Sequence, residues 1–554
     1  MINDGDGTGS LKLEYSSLAE LFDDILKKYA QNPMLRSFGV CYTYEQIDEL
    51  SRNFANYLLH SLHMQKGERI ALIMPNLIQM PIAIIGALRA GMVVVNVNPQ
   101  YTSREIHYQI LDSGASTIVI LENFADRLSE IIDYTLIKTV IVTKLGDMFA
   151  NPKRFIFNLI NRYFYHGCPE YKFLAKTVTF HHALRHGSRV DYEPQNISLD
   201  DLAFLQYTGG TTGRPKGALL SNRNLLSNLE QIELLYGNVI HRGKERIMAA
   251  LPLYHVFALT VNFLFMSKIG GYIDLITDPR KINVLVKELI SFRPTAITGV
   301  NTLFNALTFN DEFANKGRNN DLHLVVGGGM AIQRSVAQRW KKITGTYIIE
   351  GYGLTECSPL VAVVSADEGE YTGSIGNPVP FTRVKIMDEH DQEITGCDRE
   401  GELWVKGPQV TSGYWKREDD TRNAISDGWF KTGDIVIRLP NNQLKIVDRK
   451  KDMILVSGFN VFPNEIEEVV ATHYKVKEVA AIGVKSSNSG EQVKIFVVKK
   501  DPSLTQEEII AHCYKYLAHY KVPKKVEFMH DLPKSNVGKI LRMELRKLEN
   551  ERRQ

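Results

Sequence analysis

From about residue 40 to 300, short runs rich in Val, Ile and Leu alternate with longer helical patterns, and this alternation constrains the fold more than any other feature. RIALIMP, MVVVNVNP, STIVILE and TVIVTK read as strands, with helical segments such as EIHYQILDSGA between them. Repeated βαβ units build parallel sheets. The stretch from Ile70 to Val97 is broken by Pro75, Pro81, Arg89 and two glycines, so it is expected to form strand, helix and strand rather than a membrane span. From about Ser374 to Val447 the pattern changes to short strands with turns (VKIMDE, GELWVKG, NQLKIVD), a small β subdomain with little helix. Beyond Lys450, PNEIEEVVATHY reads as a helix, EVAAIGVK and QVKIFVVKK as strands, and Thr505 to Glu508 as a capping box opening another helix. The expected fold class is α/β: a large multi-lobed N-terminal body over 1–449, made of two α/β subdomains plus the small β subdomain, followed by an α+β C-terminal domain over 450–554. A chain of 554 residues exceeds what one compact core supports, in keeping with this division.

Composition excludes several classes. With 66 basic and 63 acidic residues the net charge is 66 − 63 = +3, too small to suggest a nucleic-acid partner. The five cysteines (Cys41, Cys168, Cys357, Cys397, Cys513) are far apart and odd in number, which fits neither a disulfide framework nor a zinc site and points to reducing cytosol. The N-terminus MINDGDGTGSLKLEY is polar and acidic where a signal peptide would be basic and then apolar, so a cytoplasmic location is expected.

Residues 207–217, YTGGTTGRPKG, have the composition of a phosphate-binding loop. Gly209, Gly210, Gly213 and Gly217 permit turns that aim backbone N–H groups at an anion. Thr208, Thr211 and Thr212 add hydroxyl donors, and Lys216 adds a full charge. A Walker loop requires Ser or Thr directly after its lysine to hold magnesium, whereas Gly217 follows Lys216 here, so a metal ligand must come from elsewhere.

The loop is similar to the signature of the adenylate-forming superfamily, which includes acyl-CoA synthetases, luciferases and peptide-synthetase adenylation domains. The resemblance runs in order and spacing from about residue 40 to 545, and within the superfamily the chain looks most like the bacterial long-chain fatty acyl-CoA synthetases. That resemblance implies ATP-dependent activation of a carboxylate as acyl-AMP with release of pyrophosphate, then transfer to coenzyme A. It makes 1–449 the AMP-binding unit and 450–554 a lid. In YGLTE it implies that Tyr352 stacks on adenine, Thr355 bonds an α-phosphate oxygen and Glu356 supplies the carboxylate for Mg2+. The preceding Gly327, Gly328 and Gly329 are expected to form a turn against which adenine lies. Asp434 in KTGDI resembles the ribose-hydroxyl acceptor, Arg449 in VDRKKD its partner on ribose and phosphate, and Lys539 in PKSNVGKIL the lysine bridging carboxylate and α-phosphate. His255 in LPLYHVFAL, expected just after a strand ending at Pro252, is assigned to positioning the carboxylate rather than to acid–base work. Some long-chain relatives gate their tunnel with a tryptophan shortly after this His; Leu259 stands at the matching place here, a departure from a gate of that type.

A lysine in the site and an incoming thiol compete for one path, so the family rotates its small domain between half-reactions, about the position of Lys451 here, bringing Gly458 of VSGFN to the pantetheine channel. ITGVNTLFNAL (297–307) is apolar with small residues and suits either a tunnel wall or ordinary core. Residues 151–167, NPKRFIFNLINRYFYHG, read as a helix with Phe155, Leu159, Ile160, Tyr163 and Phe164 on one face and Lys153, Arg154 and Arg162 at its margins, a pattern for peripheral contact with the inner face of the cytoplasmic membrane. Partners are thus fatty acid, ATP and CoA. The oligomeric state is left open, with a homodimer among the options. Aryl or medium-chain acyl-CoA ligases and fatty acyl-AMP ligases are the neighbouring readings, and a non-catalytic nucleotide and acyl sensor is the reading from another class.

Overall fold

The computed structural model describes residues 11–163, 176–208, 215–456, 459–486 and 490–552. Strands Arg69–Ile73, Val93–Val97, Thr117–Leu121, Thr139–Thr143 and Leu202–Thr208 pair in parallel within a sheet that has seven strands among the described residues. Helices Gln79–Arg89 and Ser103–Ser113 make crossovers, so the stretch from Ile70 to Val97 is strand, helix and strand. Every residue of Val93–Val97 is buried, as expected for a strand covered on both faces. Arg89, at the end of its helix, has no exposed side-chain surface and is satisfied by Asp23 at 2.7 Å, Asp48 at 2.5 Å and the Ser51 hydroxyl at 2.7 Å. A buried guanidinium without those partners would be strongly destabilising.

A second sheet, of nine described strands, has a parallel centre made of Tyr272–Leu275, Arg246–Ala249, Ala296–Gly299, Leu324–Gly328 and Ile349–Gly353. Pro33–Ser37 joins it beside Tyr272–Leu275, so the N-terminal segment is built into this second sheet. The region after Ser374 is an antiparallel sheet of Arg383–Met387, Gly401–Lys406, Ile425–Ser426, Trp429–Arg438 and Leu444–Arg449, with one helix, Glu418–Ala424. The C-terminal region has its own sheet, with Val476–Ser486 antiparallel to Gly490–Lys499 and Lys525–Met529 parallel to the latter. Its own hydrophobic core, including Ile466, Ile495 and Ile509, explains why it folds as a separate α+β layer. The capping box at Thr505 and Glu508 opens helix Gln506–Tyr516 as the sequence predicts. Among the described residues no helix is long and apolar enough to cross a membrane.

Two local expectations need correction. The strand before His255 is Arg246–Ala249 and stops before Pro252, because the Asn76 side chain takes over the backbone there, donating to the Ala249 and Leu251 carbonyls and accepting from the Leu253 N–H. Gly327 and Gly328 still belong to strand Leu324–Gly328, and the turn begins only at Gly329, whose φ of +78° is left-handed.

Candidate active site

The carboxyl ends of the parallel strands in the nine-stranded sheet open onto a cavity of about 2070 Å³, which also takes walls from the other sheets and from the C-terminal unit. Typical small-molecule pockets have ~300–1,000 Å³. This one is large enough for a nucleotide together with an extended second substrate.

Its polar end is built by sheet register. The antiparallel ladder sets Asp434 of strand Trp429–Arg438 directly opposite Arg449 of strand Leu444–Arg449, and Arg449 Nε lies 3.2 Å from Asp434 Oδ1. The Tyr352 hydroxyl donates to Asp434 Oδ2 at 2.6 Å. Burial nonetheless pushes the Asp434 carboxyl up, with Arg449 and Tyr352 opposing. Tyr352 sits at the end of strand Ile349–Gly353, and the chain can turn there because a Cβ on Gly353 would lie 2.2 Å from the Pro359 carbonyl oxygen. The following turn, Thr355–Cys357, presents Thr355 and Glu356 to the cavity. Glu356 Oε1 accepts a 2.8 Å hydrogen bond from the Tyr414 hydroxyl, while burial pushes its carboxyl up.

Thr208 and Lys216 are cross-strand partners and line the cavity. Gly209, Gly210, Thr211, Thr212 and Gly213, between them, lie outside the described residues, as does Gly458. Lys216 Nζ is 2.5 Å from Asp420 Oδ1 and 5.3 Å from the Tyr414 ring centre.

Lys539 enters from the C-terminal unit. A Cβ placed on Gly329 would touch its Cε at 3.1 Å, so the turn accepts the lysine only because it carries no side chain. The chain around it is fixed to the body by the Thr302 hydroxyl donating to the Gly538 carbonyl at 2.8 Å, and by Asn305 Nδ2 donating to the Lys477 carbonyl at 3.1 Å. Burial and the nearby Arg449 charge push the Lys539 amine down to about 8, with Asp434 opposing. His255, which lines the same cavity, is pushed down to about 3 by burial and by Lys539. Its imidazole is therefore neutral near pH 7. Thus Lys539, Gly328, Gly329, Tyr352, Thr355, Glu356, Asp434, Arg449, His255, Thr208 and Lys216 line one space although they come from three sheets and the C-terminal unit.

The other end of the cavity is apolar, lined by Ile232, Tyr236, Ile240, Ile247, Val261 and Phe265. Thr298, Thr302 and Asn305 of the 297–307 segment also face the cavity, whereas Leu303, Phe304 and Leu307 are buried in the body core. That segment is both wall and core. Leu259 is fully buried in the π-helical segment Ala258–Phe265 and does not line the cavity; Val261 and Phe265 of the same segment do.

Sequence reasoning passed over Tyr414 and Asp420. They lie in SGYWKREDD, whose only local signal is an aromatic pair beside a charge run. Their value arises from an edge contact that brings Tyr414 across to Ala218 of strand Lys216–Ser221.

Residues 22–415 match the family model described as AMP-binding enzyme, and residues 465–539 match that of the AMP-binding enzyme C-terminal domain. The chain is 53% identical over 532 residues to a long-chain-fatty-acid–CoA ligase of Salmonella typhimurium, covering 96% of this chain and 94% of that one. It is 33% identical over 543 residues to the ligase of the same name from Bacillus subtilis, covering 98% and 96%. Among solved structures, a benzoate CoA ligase from Burkholderia xenovorans superposes with a TM-score of 0.81 at 25% identity, covering 96% of this chain and 100% of the other.

Proposed function

The chain belongs to the AMP-binding enzyme family, and on that premise we propose that it is a long-chain fatty acid–CoA ligase that forms AMP. The observation that carries the proposal is the entry of Lys539 from the C-terminal unit into the cavity that holds Asp434, Arg449 and Glu356 at one end and an apolar arm at the other. The two ligases named above support the substrate class.

In the first half-reaction a fatty carboxylate oxygen attacks the α-phosphorus of ATP, the bond to the β-phosphate oxygen breaks, and pyrophosphate leaves. Lys539 spans the carboxylate and the α-phosphate and neutralises charge that grows in the transition state. Thr355 bonds the α-phosphate and Tyr352 lies against adenine. Asp434 accepts from the ribose hydroxyls while Arg449 bonds ribose and phosphate. Lys216 exchanges Asp420 for the β- and γ-phosphates, helped by Thr208, Gly209, Gly210, Thr211, Thr212 and Gly213. Neutral His255 orients the carboxylate, and the apolar arm takes the alkyl chain. In the second half-reaction the CoA sulfur attacks the acyl carbonyl, the carbonyl–phosphate bond breaks, and AMP leaves as the thiol proton is released.

Glu356 fits a hard divalent cation. Its carboxylate faces the cavity, its one side-chain hydrogen bond comes from a neutral phenol, and burial works against its charge. Mg2+ takes one or two carboxylates plus substrate phosphates. When bound, Mg2+ would offset phosphate charge.

Units 1–449 and 450–554 pivot at Lys451, withdrawing Lys539 and bringing Gly458 to the thiol path. The two units are joined beside Lys539 by hydrogen bonds from Thr302 and Asn305, each worth roughly 1 kcal/mol net, and close to the pivot by the Arg542–Asp448 ion pair at 3.3 Å, which opening of the lid must preserve or exchange. Helix Lys153–Tyr163 adds a peripheral lipid contact. Phe155 is 68% exposed, with Ile156, Leu159 and Ile160 beside it. Lys153 and Arg162 are exposed, whereas Arg154 is turned onto His181 at 3.0 Å. Phe164 and the Tyr163 side chain lie outside the described residues.

ATP/pyrophosphate exchange across acids of rising chain length, repeated with CoA to follow thioester, tests the function. Exchange is expected to be strongest with long acyl chains and to be followed by CoA consumption. Exchange confined to aryl or short acids, or acyl-AMP formed without CoA use, would refute it.

A further inference from the structure

Three neighbouring parallel strands at the centre of the nine-stranded sheet begin side by side, and their first aligned residues, Ile247, Ala296 and Leu324, border the cavity. Ile247 aligns with Ala296, and Ala296 with Leu324. The residues just ahead of those positions, Glu245, Thr295 and His323, are therefore gathered in one row, and His241 reaches the same place from four residues before Glu245. One ligand atom from each of His241, Glu245 and His323 lies within 4.8 Å of the other two.

The distances favour an ion over a hydrogen-bonded cluster. His241 Nδ1 is 3.3 Å and His323 Nε2 is 3.4 Å from the same Glu245 oxygen. Good N–H···O bonds fall at about 2.7–3.2 Å. Ligands ~2.0–2.1 Å from one tetrahedral ion stand about 3.3–3.4 Å apart. The tautomer points the same way. His323 Nδ1 is 2.9 Å from the Asp321 carbonyl, and an Nδ1–H donated there leaves the Nε2 lone pair aimed at Glu245. A ligating histidine usually donates its other N–H to such a carbonyl, and in the ion-free protein the Glu245 carboxylate holds the His323 ring above its ordinary pKa, so an ion would take the place of the Nε2 proton.

Glu245 is held from both oxygens. Oε1 accepts the His241 backbone N–H at 2.7 Å, and Oε2 accepts from the Thr295 hydroxyl. Its side chain is 2% exposed, against 69% for His241 and 35% for His323, so the carboxylate is fixed while the imidazoles face solvent and leave a way in. The Asp321 carboxylate is engaged by Arg246 at 3.0 Å and Arg293 at 3.7 Å, and contributes only its carbonyl.

We propose that His241, Glu245 and His323 bind a divalent transition ion of the zinc type, with a fourth position open to water. Two imidazoles and one carboxylate suit Zn2+, Co2+ or Ni2+ rather than the all-oxygen chemistry expected at Glu356. The ion would clamp the starts of strands Arg246–Ala249 and Leu324–Gly328, away from the adenylating residues.

The full-length protein, stripped with a chelator and held in excess Mg2+, is titrated with Zn2+ against a chromophoric competitor, and with Co2+ to read the visible bands of tetrahedral coordination. One tight equivalent is expected, with a raised unfolding midpoint. His241→Gln and His323→Gln should each weaken Zn2+ binding by more than the ~10-fold that even an outer-shell change causes. His512→Gln, in the distant C-terminal cluster with His473, should leave it unchanged. Tight Zn2+ binding that is absent, or that survives both triad variants, overturns the proposal and leaves the cluster as an imidazolium–carboxylate pair.

Discussion

Lys539→Ala should separate the two half-reactions. The amine is half-buried against Gly329, shares the cavity with Asp434 and Arg449, and is pushed down to about 8 chiefly by burial. Deleting one preorganised donor aimed at transition-state charge costs ~2.7–4 kcal/mol, or about 10²–10³ in rate. ATP/pyrophosphate exchange should fall by that factor, while thioester formation from supplied acyl-AMP stays nearly unchanged. The same geometry fixes a pH profile. The charged amine is lost as pH rises through about 8, so kcat/KM for adenylation, which reports the free enzyme, should decline above that value. Lys539→Arg keeps its charge at any accessible pH, so its alkaline limb should vanish even if its rate is lower. Stability follows the opposite sign. Because the folded-state value is depressed, the unfolded chain binds more protons between about 8 and the ordinary ~10.4. The desolvation penalty is full below about pH 8 and is relieved as pH rises across that window. Lys539→Ala should therefore unfold at no lower denaturant concentration than wild type at pH 7. Equal loss of both half-reactions with the fold retained, or an alkaline limb unchanged in Lys539→Arg, would refute the reasoning.

Glu356→Gln should lower Mg2+-dependent adenylation by about 10²-fold or more while leaving fatty-acid binding intact, since a neutral amide is a poor ligand for a hard cation; unchanged turnover at saturating Mg2+ would move the metal to another residue. Tyr414→Phe removes the hydrogen bond that opposes the burial-driven rise of Glu356, so the acid limb of kcat/KM should move to higher pH, and a fixed limb would separate Glu356 from that titration. Arg89→Ala should cost about 3–5 kcal/mol, read as an earlier urea transition, because Asp23 and Asp48 lose their buried partner. Replacing Phe155, Ile156 and Leu159 by Ser should abolish co-sedimentation with anionic liposomes at low salt; retention by the variant, or no binding by wild type, would remove the helix from the mechanism.

Features that depend on near neighbours are legible along the chain. A capping box closes within four residues, which is why Thr505 and Glu508 announced their helix. Uniform apolar runs announced the buried strands of the first sheet, because the 2- and 3.6-residue periods are local properties of the backbone. The resemblance supplied names for Lys216, Glu356, Asp434, Arg449 and Lys539, yet no local rule says that they share a cavity. Tertiary structure decided that: cross-strand register sets Asp434 against Arg449, and an edge contact carries Tyr414 to Glu356. It also decided charge states, because the depressed amine of Lys539 comes from burial and Arg449, and the neutral ring of His255 from burial and Lys539. His241, Glu245 and His323 show the limit most plainly. The first two are four residues apart and the third lies far along the chain, so only the parallel register of Arg246–Ala249, Ala296–Gly299 and Leu324–Gly328 makes them neighbours. Contacts between distant segments depend on how sheets stack and align, and that information is spread over the whole core rather than written beside the residues that meet.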